Sequence, residues 1–335
     1  MKALLMIVLL ATGSFCQEQP KLVGEIEFFG YAGSDLKRLK ASLPFQEGNE
    51  FNISGKGELA KITVQAAEAV KKTAGHPATD IAPVCCDKRG NWMIYIGLSG
   101  KTARYRAKPK GDTRLPASVV SLYERFMSAL RDAAARGAAE EDHSAGYALS
   151  IDPSLRQTQL EMREYALKHG ALLFEVLENS SDNQHRIVAA EILGYARQSK
   201  MQIMGLANAG RDIDSSVRNN ATRALYVLVE SDPKLALDIP DNFFVDQLLS
   251  GKWTDLNKAS LLLSSITASR NEKVLSLLRS REVRERLIEM ARWRTGHAEA
   301  ARYLLGRIAG IDEDRLKLLV TEGKTEEVIN SVAPR

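Results

Sequence analysis

Four positions recur in the C-terminal half of the chain at one fixed offset. Asp182, Arg186, Ala189 and Leu193 return as Asp214, Arg218, Ala221 and Leu225, each 32 residues further on. Repetition at such a period marks a stacked array, because one small unit cannot bury its apolar face without a neighbour of the same kind. A second stretch with helical periodicity, residues 201–209, lies between the copies and carries Ile203, Leu206 and Ala207. Each unit therefore reads as helix, turn, helix. The small Ala189 and Ala190 let the partner helix approach closely, while Ile192 and Leu193 fill the seam.

The helical pattern begins at Asp152-Pro153, an N-capping aspartate followed by a proline at the first helical position. A helix pair is expected over 160–177, another over 256–267 with 274–278, and Ala301, Leu305 and Gly306 echo Ala189, Leu193 and Gly194. That makes about four to five repeats. From Asp312, the shared face of Leu316, Leu319 and Val320 predicts a capping helix and a short end. The stretches 182–196 and 214–225 resemble the HEAT-repeat consensus, in which an aspartate, an arginine four residues on, then alanine and leucine mark one helix. The resemblance implies structural work for Asp182, Arg186, Asp214 and Arg218, namely helix capping and a ladder of polar contacts between repeats. It also implies a concave binding face lined by the second helices.

Upstream the period changes. Residues 22–31 alternate as a strand, Ser34 is placed to cap a short helix over 35–43, and Pro44 stops it. Residues 57–73 carry Leu59, Ile62, Ala66 and Val70 at helical spacing and end at Gly75. Strands are expected over 79–86 and 92–98, joined by a hairpin turn at 87–91. This strand-helix-helix-strand-strand order, with Gly48 and Phe51 in a GxxF turn, resembles the polypeptide-transport-associated (POTRA) domain of bacterial envelope proteins. Such domains offer a sheet edge to partner polypeptides. No run of barrel strands follows here, which sets the chain apart from the family's usual context.

The fold class expected is thus an α+β N-terminal domain over 21–110 and an all-α helical-repeat solenoid over 152–335. Residues 111–151 are the link, with a helix over 116–136 and a mobile connection over 138–150. Lys101, Arg104, Arg106, Lys108 and Lys110 form a basic run, read as a solvated strand edge or linker.

Residues 1–16 read as a secretory signal: Lys2, an apolar stretch over 3–11, then mostly small residues. Cleavage between Cys16 and Gln17 is expected, with a lipid anchor on Cys16 as the alternative, so the protein is exported to the periplasm or beyond. After cleavage only Cys85 and Cys86 remain. On a strand they point to opposite faces, which favours two separate thiols over a vicinal disulfide. Sequons stand at Asn52, Asn179 and Asn220, the last inside an expected helix where a glycan fits poorly, which favours a bacterial source.

Motifs for chemistry are missing from the sequence. His76, His143, His169, His185 and His297 are widely separated, and no P-loop, dinucleotide fingerprint or serine-hydrolase elbow occurs. His143 beside Glu140, Glu141 and Asp142 reads as a solvated acidic loop. Arginines 279, 281, 284, 286, 292 and 294 alternate with Glu282, Glu285 and Glu289, as on a salt-bridged face, and Trp293 alone makes no stacking platform. A formal charge of +4 from 46 basic and 42 acidic residues gives no strong field for nucleic acid. The expectation is a binding or scaffold protein with a protein partner, without enzymatic residues, cofactor, metal or transmembrane segment after signal removal.

Overall fold

A computed structural model describes residues 21–51, 57–85, 87, 89–101 and 104–332. The first unit runs β1 (Val23–Phe29), α1 (Leu36–Ser42), α2 (Glu58–Ala74), β2 (Asp80–Val84) and β3 (Trp92–Gly97). β3 is central, parallel to β1 and antiparallel to β2. One sheet face sends Ile26, Phe28, Ile94 and Ile96 against Leu39, Ala66 and Val70 of the two helices. The other face sends Phe29, Met93 and Tyr95 into the core of the helical region. Both faces are covered, which is why β3 reads WMIYIG, an apolar run rather than an alternation. Asp35, not Ser34, caps α1, accepting from the Arg38 amide.

A non-helical segment leads into a helical region with one small hairpin: α3 (Ala117–Ala135), β4 (Glu141–Asp142), β5 (Leu149–Ser150), α4 (Pro153–Asn179), α5 (Asn183–Leu193), α6 (Lys200–Ala209) and α7 (Ser215–Ser231). There follow α8 (Asp241–Gln247), α9 (Trp253–Ile266), α10 (Glu272–Leu278), α11 (Arg281–Ala291), α12 (Glu299–Ile308), α13 (Glu313–Thr321) and α14 (Thr325–Val332). α5, α7, α9 and α12 stack in sequence as one layer, with α6, α8 and α10 behind them. An α+β unit followed by a helical solenoid is thus the architecture. Close stacking is built into the sequence at Gly205, where a Cβ would lie 2.8 Å from the Phe174 ring, and at Gly306, where it would lie 2.2 Å from Leu316.

Two expectations for this region are corrected. The helix pair foreseen over 160–177 is present as the two halves of α4, which meet at a kink at His169, whose φ of −128° leaves the helical region just before Gly170. Glycine weakens the helix there, so the break costs little. The end from Asp312 is two helices, α13 and α14, separated by Gly323 at φ +70°. Residues 138–150 are not a loose connection. They form the β4–β5 hairpin, whose Glu141 is ion-paired to Arg223 of α7 and accepts a 2.8 Å bond from Gln159 of α4.

Cys85 is disulfide-bonded, so a separate thiol there is ruled out. Cys16, Gln17, Asn52 and Cys86, with the whole signal-like segment, lie outside the described residues. Asn220 is buried, and its amide faces the Ile187 carbonyl at 3.3 Å, leaving no room for a glycan. Among the described residues no helix is long and apolar enough to cross a membrane.

Candidate functional site

The repeat residues assemble into a buried polar ladder. Asp182 caps α5 by accepting from Gln184 N at 2.9 Å, and Asp214 caps α7 from Ser216 N at 2.9 Å and Val217 N at 3.2 Å. Four residues on, a helix turn points each arginine back across the inter-repeat loops. Arg186, fully buried, grips Asp212 with two bonds of 2.8 and 2.9 Å and donates a third to the Ser180 carbonyl. Arg218 does the same with Asp255 at 2.8 and 3.1 Å and reaches the Asp212 carbonyl at 2.8 Å. Fork-to-carboxylate geometry with the remaining donors on carbonyls satisfies each charge out of water. Ala189, Ala221, Leu193 and Leu225 are buried in the seam between helices. These eight positions hold the array together; of them Leu193 also borders the groove between α4 and α6, and Arg218 a smaller cleft beside Tyr105.

In the basic run beside the ladder Lys101, Arg104, Lys108 and Lys110 are exposed, as expected of a solvated linker, while Arg106 is half-buried. Lys101 and residues 104–115 lie across the inter-repeat loops, running against the order of the repeats. Lys101 N donates to Leu249 O at 2.7 Å, Arg106 N to Arg211 O at 2.6 Å, and Gly111 O accepts from Ser181 N at 2.8 Å. Between these points the side chains read the ladder itself. Tyr105 Oη donates to Asp255 at 2.7 Å while the Arg218 guanidinium lies 3.9 Å over its ring, and Arg106 pairs with Glu178 at 2.8 Å. Leu115 N closes the strap on His185 Nδ1 at 3.0 Å. The arginines and lysines serve partly as strap anchors, a role that local charge pattern alone does not distinguish from solubility.

The sheet docks on the far end of the solenoid through residues that the sequence left without a role. Trp293, 1% exposed, donates from Nε1 to Phe28 O at 3.0 Å and packs edge-on against Tyr95. Glu289 accepts from Gly30 N and Tyr31 N at 2.6 and 3.1 Å, and Arg294 pairs with Glu27 and Glu47 at 2.9 and 2.6 Å. The supposed salt-bridged face of α11 is thus exposed on one side only, where Arg281 meets Glu285 and Arg292 meets Glu326. Tyr95 Oη lies 2.6 Å from His297 Nδ1 and 2.7 Å from Thr295 Oγ1. Burial, with the Lys258 charge adding to it, pushes His297 down to about 4.

The layer α5, α7, α9 faces the hairpin with Glu191, Arg223 and Lys258. Burial pushes the Glu141 carboxyl up, but the Arg223 guanidinium and His143 together outweigh it and hold the group at about 2. Burial instead dominates at Glu191, whose carboxyl is raised. Burial likewise pushes the Lys258 ammonium down to about 8, with Arg223 reinforcing it. His143 stands edge-on to Tyr226 at 5.6 Å between ring centres and is partly buried, so it is not in a solvated acidic loop.

Exposed apolar surface gathers on the opposite side. Leu160 and Leu167 of α4, seven residues apart on one helix face, are 40% and 49% exposed, and Met201 and Met204 of α6 are 54% and 47% exposed. Between the two helices lies a groove of about 410 Å³ lined by Leu167, Gly170, Phe174, Arg197, Met201 and Gln202. The bend at His169 opens it. Arg197 and the adjacent Lys200 are exposed and have no carboxylate partner among the described residues. Sequence reasoning placed Leu160 in a repeat and Met201 at the start of a helix. It missed that the array ends here, so that the side where a preceding second helix would pack is bare.

Among the described residues no three metal-ligating side chains converge. No protein-family model matches the chain, and no curated protein matches it.

Proposed function

We propose that this is a non-enzymatic protein-binding or scaffold protein of the bacterial cell envelope. In this reading the groove between α4 and α6 docks an amphipathic helix with acidic residues along its flank. The carrying observation is the groove lined by Leu167, Met201 and the unpaired Arg197, with Leu160, Met204 and the unpaired Lys200 exposed on the same two helices. Flexible methionines and an open apolar edge suit the helix-in-groove mode, and two unpartnered cations favour carboxylates on the incoming helix. The HEAT-like identity is supported by the arginine ladder, and export by the signal-like first residues. The Cys85 disulfide also fits an oxidising compartment.

A photo-crosslinker at Met204, installed in the cell, tests the reading against a control at Leu318, 56% exposed at the other end of the array. The expected result is one polypeptide joined at Met204 through an amphipathic, acidic-flanked helix, lost in a Leu167→Asp variant that still folds. Equal capture at both positions, or capture indifferent to Leu167→Asp, rejects it.

The second reading, an accessory of envelope protein assembly or transport, is favoured by one observation: β2 is an edge strand with no neighbour on its far side among the described residues. It predicts capture at β2 positions rather than at Met204.

A further inference from the structure

Where the strap crosses the array, two of its side chains are engaged by the ladder: Tyr105 rests on Asp255 and Arg106 on Glu178. Three others are left over. Arg104, Lys108 and Lys110 are exposed and meet no carboxylate among the described residues. The acids along the strap's course are already taken, Glu178 by Arg106, Asp182 by Arg114 at 3.2 Å and Asp255 by Arg218. Between residues 104 and 115 the strap itself has one acid, Asp112. A fourth exposed cation stands beside these three. It is Arg211, whose carbonyl accepts from Arg106 N at 2.6 Å and whose guanidinium lies 5.1 Å from the centre of the Phe243 ring.

These cations are carried on a fixed segment. Main-chain bonds at Lys101, Arg106 and Gly111 hold the strap, so a multivalent anionic partner need not order a loose chain to meet them. An apolar side chain stands next to them. Ile213, in the turn between α6 and α7, is 54% exposed and shares a cleft of about 360 Å³ with Tyr105, Lys101 and Lys252. Lys101 and Lys252 are answered by Glu282 and Asp80, so they add no net charge there. Fixed cations around a protruding aliphatic group suit the surface of an anionic bilayer, where the charges meet headgroup phosphates and the aliphatic group enters the interface. Single-stranded nucleic acid calls for aromatic faces to stack on, and the strap's one aromatic ring, Tyr105, is covered by the Arg218 guanidinium at 3.9 Å.

We infer that this edge of the array rests on an anionic phospholipid bilayer, with Arg104, Lys108, Lys110 and Arg211 on the headgroup phosphates and Ile213 inserted between them. The contact is peripheral and salt-sensitive, since it rests on exposed charges and one aliphatic side chain. It lies on the inter-repeat loops, outside the α4–α6 groove, and stands whether or not that groove docks a helix.

The probes are vesicles of phosphatidylcholine alone and of phosphatidylcholine with about one-third phosphatidylglycerol, sedimented with the full-length protein. The expected result is partition onto the anionic vesicles about tenfold or more above the neutral ones, falling as salt is raised. Reversing three exposed charges together, Arg104→Glu, Lys108→Glu and Lys110→Glu, with folding checked by thermal melting, removes that preference. Ile213→Ser weakens binding to the anionic vesicles about fivefold and keeps its salt dependence. The pair Arg197→Glu and Lys200→Glu, at the docking groove, leaves vesicle binding unchanged, which separates this inference from the docking proposal. All variants share the parent's first residues, so any contribution of the apolar stretch over 3–11 cancels. Equal partition onto both vesicles, or a triple variant or Ile213→Ser that binds like the parent, overturns the inference. So does a groove pair that loses binding as fully as the triple variant, or binding of soluble polyphosphate with none to the anionic vesicles.

Discussion

Removing Asp255 strands Arg218 in the interior and takes the acceptor from the hydroxyls of Tyr105 and Ser250. Asp255→Ala is therefore expected to cost about 3–5 kcal/mol, read from urea unfolding, and more than Arg281→Ala on the exposed Arg281–Glu285 pair, worth under about 1 kcal/mol. His297 gives a pH signature. Its imidazole ordinarily titrates near 6.5 and is pushed down to about 4 in the folded chain, so the unfolded chain binds the extra proton. Its contribution to stability is full above about pH 6.5 and is lost as the pH falls toward 4, a change of about 3 kcal/mol. The raised Glu27, Glu191 and Glu289 oppose this slope at the acid end. The measurement is accordingly the difference between the parent and His297→Gln, which is expected to lack the His297 component between pH 6.5 and pH 5.

Elements behave according to what lies across them. The strap is held by main-chain bonds at Lys101, Arg106 and Gly111, and a Cβ at Gly111 would sit 2.6 Å from the Asn179 carbonyl oxygen. Gly111→Ala should lift that end of the strap, seen as faster tryptic cleavage after Lys110 under conditions that leave the helices intact. This element also marks the limit of the sequence. Element order and the helical repeat were legible because periods of two and 3.6 are local signals. The strap was not, since an extended, charged segment looks the same whether water or a ladder of loops lies beside it. The hairpin at 138–150 was hidden for the same reason: Glu141 and Arg223, which pin it, are far apart in the chain. Of the candidate groove, the helices were legible but their bareness was not, because exposure at Leu167 and Met201 depends on a neighbour the array lacks.

At the scale of the whole molecule the sheet and the solenoid share one core, joined at Tyr95, Trp253 and Trp293. Tryptophan fluorescence and far-ultraviolet circular dichroism should therefore report a single coincident unfolding transition. Trp293→Ala removes the ring that meets Phe29 and Tyr95 and the bond to Phe28 O. It is expected to cost about 3–5 kcal/mol and to split the transition in two, the sheet unit melting first. Coincident curves in that variant would show that the joint is carried elsewhere.

Arrays of stacked helices ordinarily gain and lose units freely over evolutionary time, since each unit touches only its neighbours. The strap takes that freedom away here. It meets the array at Lys101, Arg106 and Gly111, an even spacing matched to successive inter-repeat loops. An extra unit inserted between α6 and α7 would need the strap to lengthen in the same event, at a site some hundred residues upstream. The number of repeats in this stretch is thereby frozen, and change in lineages that keep the strap is expected beyond α9, where no main-chain bond of the strap reaches among the described residues.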